Sequence, residues 1–398
     1  MADRPYTITG DPQIEAGIRT LLRDITAAVV AELAPAAVVL SGSFARGEGG
    51  AYYSGQDIRT TSDLDVIAVY SGPDSLVRAA LARRGARKLA KKLSRDFPRT
   101  RLDLTTRPAF LLRWPATTLD YHELLRSARP LHGEVRLPPP SEVRIDDIPP
   151  GEITRQLRKR GAGLLLSWVR MMAAGEVLST ATAESLELDL DKAFLACGDA
   201  WLYRHGVYDH RLLVRLERFR RLVSIRLGPT AQLHEEYQRS AQQRLLPSPN
   251  IGLRQAQHRV RWRKAAEEWL RCHESYAAWC ASLRKGSPQA AEGWHPVRAV
   301  KRLVGAVRRL ILGLPTERQQ WEALPLLLRL ALGNGTEEAL HAIASDLLRT
   351  RAMNLPGLLP LVRRFLLVWH PTDARETTAA PGRSSATPSN HRLARNTI

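Results

Sequence analysis

Ser62-Asp63-Leu64-Asp65-Val66-Ile67-Ala68-Val69-Tyr70 is the most informative run in this chain. Its apolar second half predicts a buried strand, with two carboxylates one residue apart at the strand's entrance. Strand side chains alternate between faces, so Asp63 and Asp65 project together, roughly 6.5–7 Å apart. Acids so placed suit a pair of hard cations about 3.5–4 Å apart, the arrangement that transfers phosphoryl-type groups in line. Two buried carboxylates without compensation are costly, so a positive charge is expected beside them.

Upstream, Ala36-Ala37-Val38-Val39-Leu40 predicts another short strand, ending in Ser41-Gly42-Ser43-Phe44-Ala45-Arg46-Gly47-Glu48. Gly42 lets backbone amides approach an anion with no Cβ in the way. Ser43 adds a hydroxyl, a helical turn starting here offers N–H groups to phosphate, and Arg46 offers a bidentate contact. Downstream, Arg101-Leu102-Asp103-Leu104-Thr105-Thr106 alternates, with the two leucines on one face and Asp103 on the other. As a neighbouring strand about 4.8 Å away, it brings a third carboxylate to the pair. Asp103 is suited to ligate a metal and to take the proton of an incoming hydroxyl.

Gly-Ser, then Asp-x-Asp on a strand, then a later strand carboxylate: in that order the set resembles the polymerase-beta-type nucleotidyltransferase superfamily. The resemblance spans roughly residues 30–135. The run Tyr121–Gly133 looks like the segment closing the domain in kanamycin-nucleotidyltransferase-like members. The resemblance implies Gly42 and Ser43 at a nucleoside triphosphate, and Asp63 and Asp65 as ligands of two magnesium or manganese ions. Asp103 completes the triad. Nineteen residues separate Ser43 from Asp63, more than in compact members. The extra stretch Gly49–Gly55 is expected as a flexible loop over the site.

The 398 residues, 44% of them apolar, give room for an α+β chain of two domains and a tail. Residues 1–148 form the expected catalytic domain, a small mixed sheet with helices on one side. Pro138-Pro139-Pro140 and Pro149-Pro150 bracket a linker. Residues 149–370 turn to leucine- and arginine-rich helical periodicity. Helices are expected at 152–174, 181–205, 228–245, 254–283, 296–312, 317–332, 336–350 and 358–369. From Pro371 to residue 398 the Thr/Ser/Ala/Pro-rich composition predicts disorder. No apolar run reaches membrane-spanning length, and the N-terminus lacks a secretory pattern. The three cysteines have no zinc or disulfide spacing, so reduced thiols and a cytoplasmic enzyme are expected.

Net charge is +19, which favours anionic partners and also follows from arginine-rich coding bias. On Leu76–Phe97 the bases recur at helical spacing from Arg84 to Arg95, either as a solvated face or as a docking stripe for nucleic acid. His258-Arg259-Val260-Arg261-Trp262-Arg263-Lys264 suits base stacking in single-stranded nucleic acid, or an amphipathic helix with Val260 and Trp262 partly buried. Around Lys192, Leu186, Leu190, Ala193, Cys197, Ala200 and Trp201 make an apolar stripe. This run resembles the start of the helical domain that packs across the nucleotide cleft in kanamycin-nucleotidyltransferase-like proteins. The resemblance implies that Lys192 neutralises triphosphate charge; the alternative is a surface lysine paired with Asp189.

The expected activity is transfer of a nucleoside monophosphate from a triphosphate to an acceptor hydroxyl, releasing pyrophosphate. The helical-domain resemblance favours a small-molecule acceptor such as a sugar, while the basic balance leaves RNA, protein or a second nucleotide open. The other class is a non-catalytic nucleotide- or RNA-binding regulator of the same fold, antitoxin-like. The presence of all three aspartates argues against it.

Overall fold

Alternation of apolar residues places three strands where the sequence predicts them, and a fourth completes the sheet. The computed structural model describes residues 4–55, 57–98, 100–113, 116–174, 178–224, 230–247, 255–286 and 317–333. Helix α1 (Pro12–Leu33) starts on Asp11, whose carboxylate accepts from the N–H groups of Gln13 and Ile14. It leads into β1 (Ala37–Ser41), the short α2 (Gly42–Arg46), and a hairpin of β2 (Ala51–Ser54) and β3 (Asp57–Thr60). Then come β4 (Leu64–Tyr70), α3 (Ser75–Asp96), β5 (Leu102–Pro108), α4 (Ala109–Arg113), α5 (Leu119–Ser127) and β6 (Arg129–His132). The sheet order is β5-β4-β1-β6, with β4 and β5 parallel and the other pairs antiparallel.

Two departures from expectation belong to this half. The stretch Gly49–Gly55 is no flexible loop over the site: Ala51–Ser54 pairs with Asp57–Thr60, Ala51 opposite Thr60. Tyr53 carries the hairpin onto α1 by donating to the Gln13 carbonyl at 3.1 Å. Helices also cover both faces of the sheet, not one. Val38, Leu40, Val66, Ala68 and Tyr70 pack against α1 and α3, in a core with Ile18, Leu22, Ile25 and Leu89. Ala37, Val39, Ile67 and Val69 face the other way, into a core shared with the helices that follow.

Those helices are α6 (Pro150–Ala173), α7 (Thr180–Arg204), α8 (Leu212–Ser224), α9 (Ala231–Leu245), α10 (Gln255–Gly286) and α11 (Glu317–Leu332). Only α8 was not foreseen. The linker before α6 forms two single 3-10 turns and buries Val143 and Ile148. Helices expected at 296–312, 336–350 and 358–369, and the tail from Pro371, lie outside the described residues. No described helix is long and apolar enough to cross a membrane. Cys197 and Cys272 are buried and Cys280 is half-buried.

Two bases of the run on α10, His258 and Arg261, serve the interior, while Arg259, Arg263 and Lys264 are exposed. His258 is fully buried and bonds Glu187 at 2.8 Å, and Arg261 lies among Glu187, Asp191 and Glu236. Trp262 is 4% exposed and donates from its ring nitrogen to the Leu164 carbonyl at 2.8 Å. A ring so enclosed has no face to offer a nucleobase, so the stacking reading of this segment fails. Val260, at 59% exposure, is the outward residue. Trp262→Ala is expected to cost about 3–5 kcal/mol, as for other large buried aromatics. Urea unfolding checks this; a loss below about 1 kcal/mol would contradict the burial. The bases of α3 do face solvent: Arg84, Arg87, Lys88, Lys91, Lys92 and Arg95 are all exposed.

Candidate active site

The register of β4 explains why three carboxylates meet. Asp65 lies opposite Ser41 on β1 and opposite Asp103 on β5. Asp63 stands one residue before β4, and by alternation shares the face of Asp65, Ile67 and Val69. That is the face turned to the second set of helices. All three aspartates line one cavity of about 340 Å³, together with Gly42, Ser43, Arg46 and Lys192. The volume is within the range of small-molecule pockets.

Gly42 has a job the sequence only half suggests. Its φ is +72°, and a Cβ there would stand 1.9 Å from Oδ2 of Asp65. The anion that its missing side chain admits is therefore the protein's own carboxylate. Gly47, which ends α2, has φ +81°, and a Cβ there would stand 2.9 Å from the Pro5 carbonyl. Gly42→Val is expected to displace Asp65 and weaken any binding of a triphosphate in this cavity, whereas Gly47→Ala costs about 1–2 kcal/mol of stability and leaves the site in place. Isothermal titration with ATP and thermal unfolding separate the two effects. ATP affinity unchanged in Gly42→Val would contradict this packing.

Lys192 reaches across from α7 and donates to Asp63 at 2.8 Å. It does not pair with Asp189, which accepts from Ser167 at 3.0 Å and from Arg170 at 3.3 Å. Burial pushes the Asp63 carboxyl up, but Lys192, with help from Arg244 and Arg101, brings it below the ordinary range. Among the described residues, Asp65 has no such hydrogen-bonded cation. Burial, then the charges of Asp63 and Asp103, push it up to about 7. Burial and Asp63 also raise Asp103, against the pull of Lys159 and Lys192.

Arg46 lines the cavity, but its guanidinium is already shared. Nε donates to Glu48 at 3.2 Å and Nη1 to Glu123 at 2.9 Å. Glu48 in turn accepts from the N–H groups of Leu212 at 2.9 Å and Leu213 at 3.1 Å, at the start of α8. Tyr208 donates to Glu123 at 2.7 Å. Sequence reasoning missed this seam, as well as Lys159 and Arg160 on α6 and Arg244 on α9, all at the cavity wall. Ile153, Gln156, Lys159 and Arg160 have the i, i+3, i+4 spacing of one helix face, a signal visible in the sequence. Arg244 has none.

Among the described residues, no three His, Cys, Asp or Glu side chains are gathered closely enough to enclose a metal ion as they stand. The donor chemistry nevertheless fits a hard cation. Asp63, Asp65 and Asp103 offer only oxygen, and the raised Asp65 carboxyl gains most from an added positive charge. No family model, curated protein or solved structure matches the chain.

Proposed function

We propose that this chain is a nucleotidyltransferase of the polymerase-beta type, moving a nucleoside monophosphate from a triphosphate to an acceptor hydroxyl with release of pyrophosphate. One observation carries the proposal: Asp65 packs against Gly42 while Asp63, Asp103 and Lys192 border the same cavity. Gly42 and Ser43 lie on the donor side, at the end of β1. Asp103, two strands along the sheet, lies on the acceptor side and accepts the hydroxyl proton. Asp63, Asp65 and Asp103 would hold magnesium, which, when bound, supplies charge for the triphosphate and acidifies the attacking hydroxyl. Lys192 brings a fixed cation to the donor phosphates once its hold on Asp63 is exchanged. Positioning and charge neutralisation then account for the catalysis.

The Asp63–Lys192 pair also favours a second reading. A lysine seated on the first aspartate suits a protein that binds nucleotide without turning it over. Magnesium-dependent pyrophosphate release from each of the four common nucleoside triphosphates, with cell extract as the source of acceptor, separates the two. Release that requires both magnesium and extract supports transfer. Nucleotide binding without release supports the non-catalytic regulator.

A further inference from the structure

Two of the arginines around the cavity are already matched, Arg46 by Glu48 and Glu123, and Arg215 by Asp199. Two others are not. Arg160 and Arg244 line the same cavity, half-buried, with no hydrogen bond or ion pair among the described residues. A guanidinium held partly out of water without a counter-charge is costly, and the backbone shows where each of these is brought.

Arg244, on α9, packs its carbonyl onto Gly50, where a Cβ would stand 2.4 Å from that oxygen. Gly50 accepts from the Thr61 N–H at 2.9 Å and donates to Oγ of Ser62 at 3.1 Å. Arg244 therefore enters the cavity beside the segment that delivers Asp63. Helices α6 and α7 run antiparallel, with Arg170 bonded to Ser185 and Ser167 to Asp189. Carried two turns further, that register sets Arg160 opposite Ala196, one turn beyond Lys192. Lys192 is itself bonded to Asp63. Three helices thus each bring one base to the Asp63 end of the cavity, where a single carboxylate faces three cations.

We propose that Arg160, Lys192 and Arg244 form a seat for a phosphoanhydride chain, the β- and γ-phosphates of a nucleoside triphosphate. The seat itself rests on packing, and its assignment to the donor rests on the nucleotidyl-transfer reading. A lone phosphate carries about −1.5 to −2 and meets only part of a site whose cations come from three helices, whereas linked phosphates reach them all. The planar fork of each arginine suits two phosphate oxygens at once. Burial, and for Arg160 the charge of Arg244, pulls both guanidiniums below their ordinary range in spite of Asp63, a cost that a bound polyanion relieves. In transfer, the same bases neutralise the pyrophosphate as it leaves.

The test is isothermal titration of the full chain, in metal-free buffer, with orthophosphate, tripolyphosphate, AMP and ATP. Tripolyphosphate is expected to bind at least tenfold more tightly than orthophosphate, and ATP at least tenfold more tightly than AMP, the scale of one or two charged hydrogen bonds. Arg160→Met and Arg244→Met should each remove most of both advantages and leave AMP affinity nearly unchanged. Arg160→Lys and Arg244→Lys should keep part of them, and melting temperatures show that each variant folds. The ranking of ligands on the unaltered chain needs no variant. Orthophosphate bound as tightly as tripolyphosphate, or tripolyphosphate indifferent to both methionine variants, overturns the seat. Tripolyphosphate bound tightly while ATP binds no better than AMP keeps the seat and counts against the nucleotidyl-transfer reading instead.

Discussion

Asp63→Asn and Asp65→Asn are each expected to lower magnesium-dependent pyrophosphate release on the order of a thousandfold, the scale on which preorganised charge contributes to catalysis. Their effects on stability should have opposite signs. Asp63 is the counter-charge of Lys192, whose side chain is only 15% exposed. Replacing it leaves a nearly buried ammonium with a weaker, neutral acceptor. The cost is about 2 kcal/mol, less than for a fully buried pair because Asp63 itself is 33% exposed. Asp65 has no such partner among the described residues, and burial together with Asp63 and Asp103 pushes its carboxyl up to about 7. At pH 8 without magnesium its ionisation is a cost that the amide does not bear, so Asp65→Asn should be the more stable protein. Urea unfolding and a coupled pyrophosphate assay measure both quantities. Wild-type turnover in both variants ends the assignment of this site, whereas equal stability changes contradict the Lys192 pairing.

The fragment 1–149 is expected to show no turnover and to self-associate. Ala37, Val39, Ile67 and Val69 lie on the sheet face that the second half covers, each at most 9% exposed. Burying a Val or Ile side chain is worth about 1.5–3 kcal/mol, so uncovering this face removes much of the margin by which a small domain stays folded. The cut also removes Lys192 and the Leu212 and Leu213 amides that hold Glu48. Gel filtration and the pyrophosphate assay provide the check. A soluble monomer with turnover comparable to the full chain would show that the helices neither complete the site nor shield the sheet.

Asp63, Asp65 and Asp103 could be found from sequence because their relation is local: alternation along one strand and the register of its neighbour. Gly42 was legible as a residue, though not for its reason, since the carboxylate it admits is 23 positions further on. Lys192 remained one of two readings because a helix wheel shows Asp189 nearby but gives no hint of Asp63 across the cleft. Arg160 was visible only as one member of a helix face on α6, and Arg244, on α9, was invisible because packing alone brings it to the cavity. Where composition alone was used, as for the glycine-rich stretch before β3 and for Trp262 among its bases, burial and strand pairing overrode it. Strand β6 was hidden by its shortness and its proline, Pro130, which is tolerated because β6 is an edge strand.

The seam formed by Arg46, Glu48, Glu123 and Tyr208 has a consequence for how substrates are admitted. Its bonds join α2 and α5 of the sheet half to the start of α8. Two halves fastened by mutually satisfied charges resist hinging, because opening would strip partners from groups that are otherwise out of water. Selection between molecules therefore falls to a rigid aperture of set size and polarity, and association needs no closing movement. Under the nucleotidyl-transfer proposal, little binding energy would then go into rearranging the protein, and most would remain to hold the reacting atoms in line.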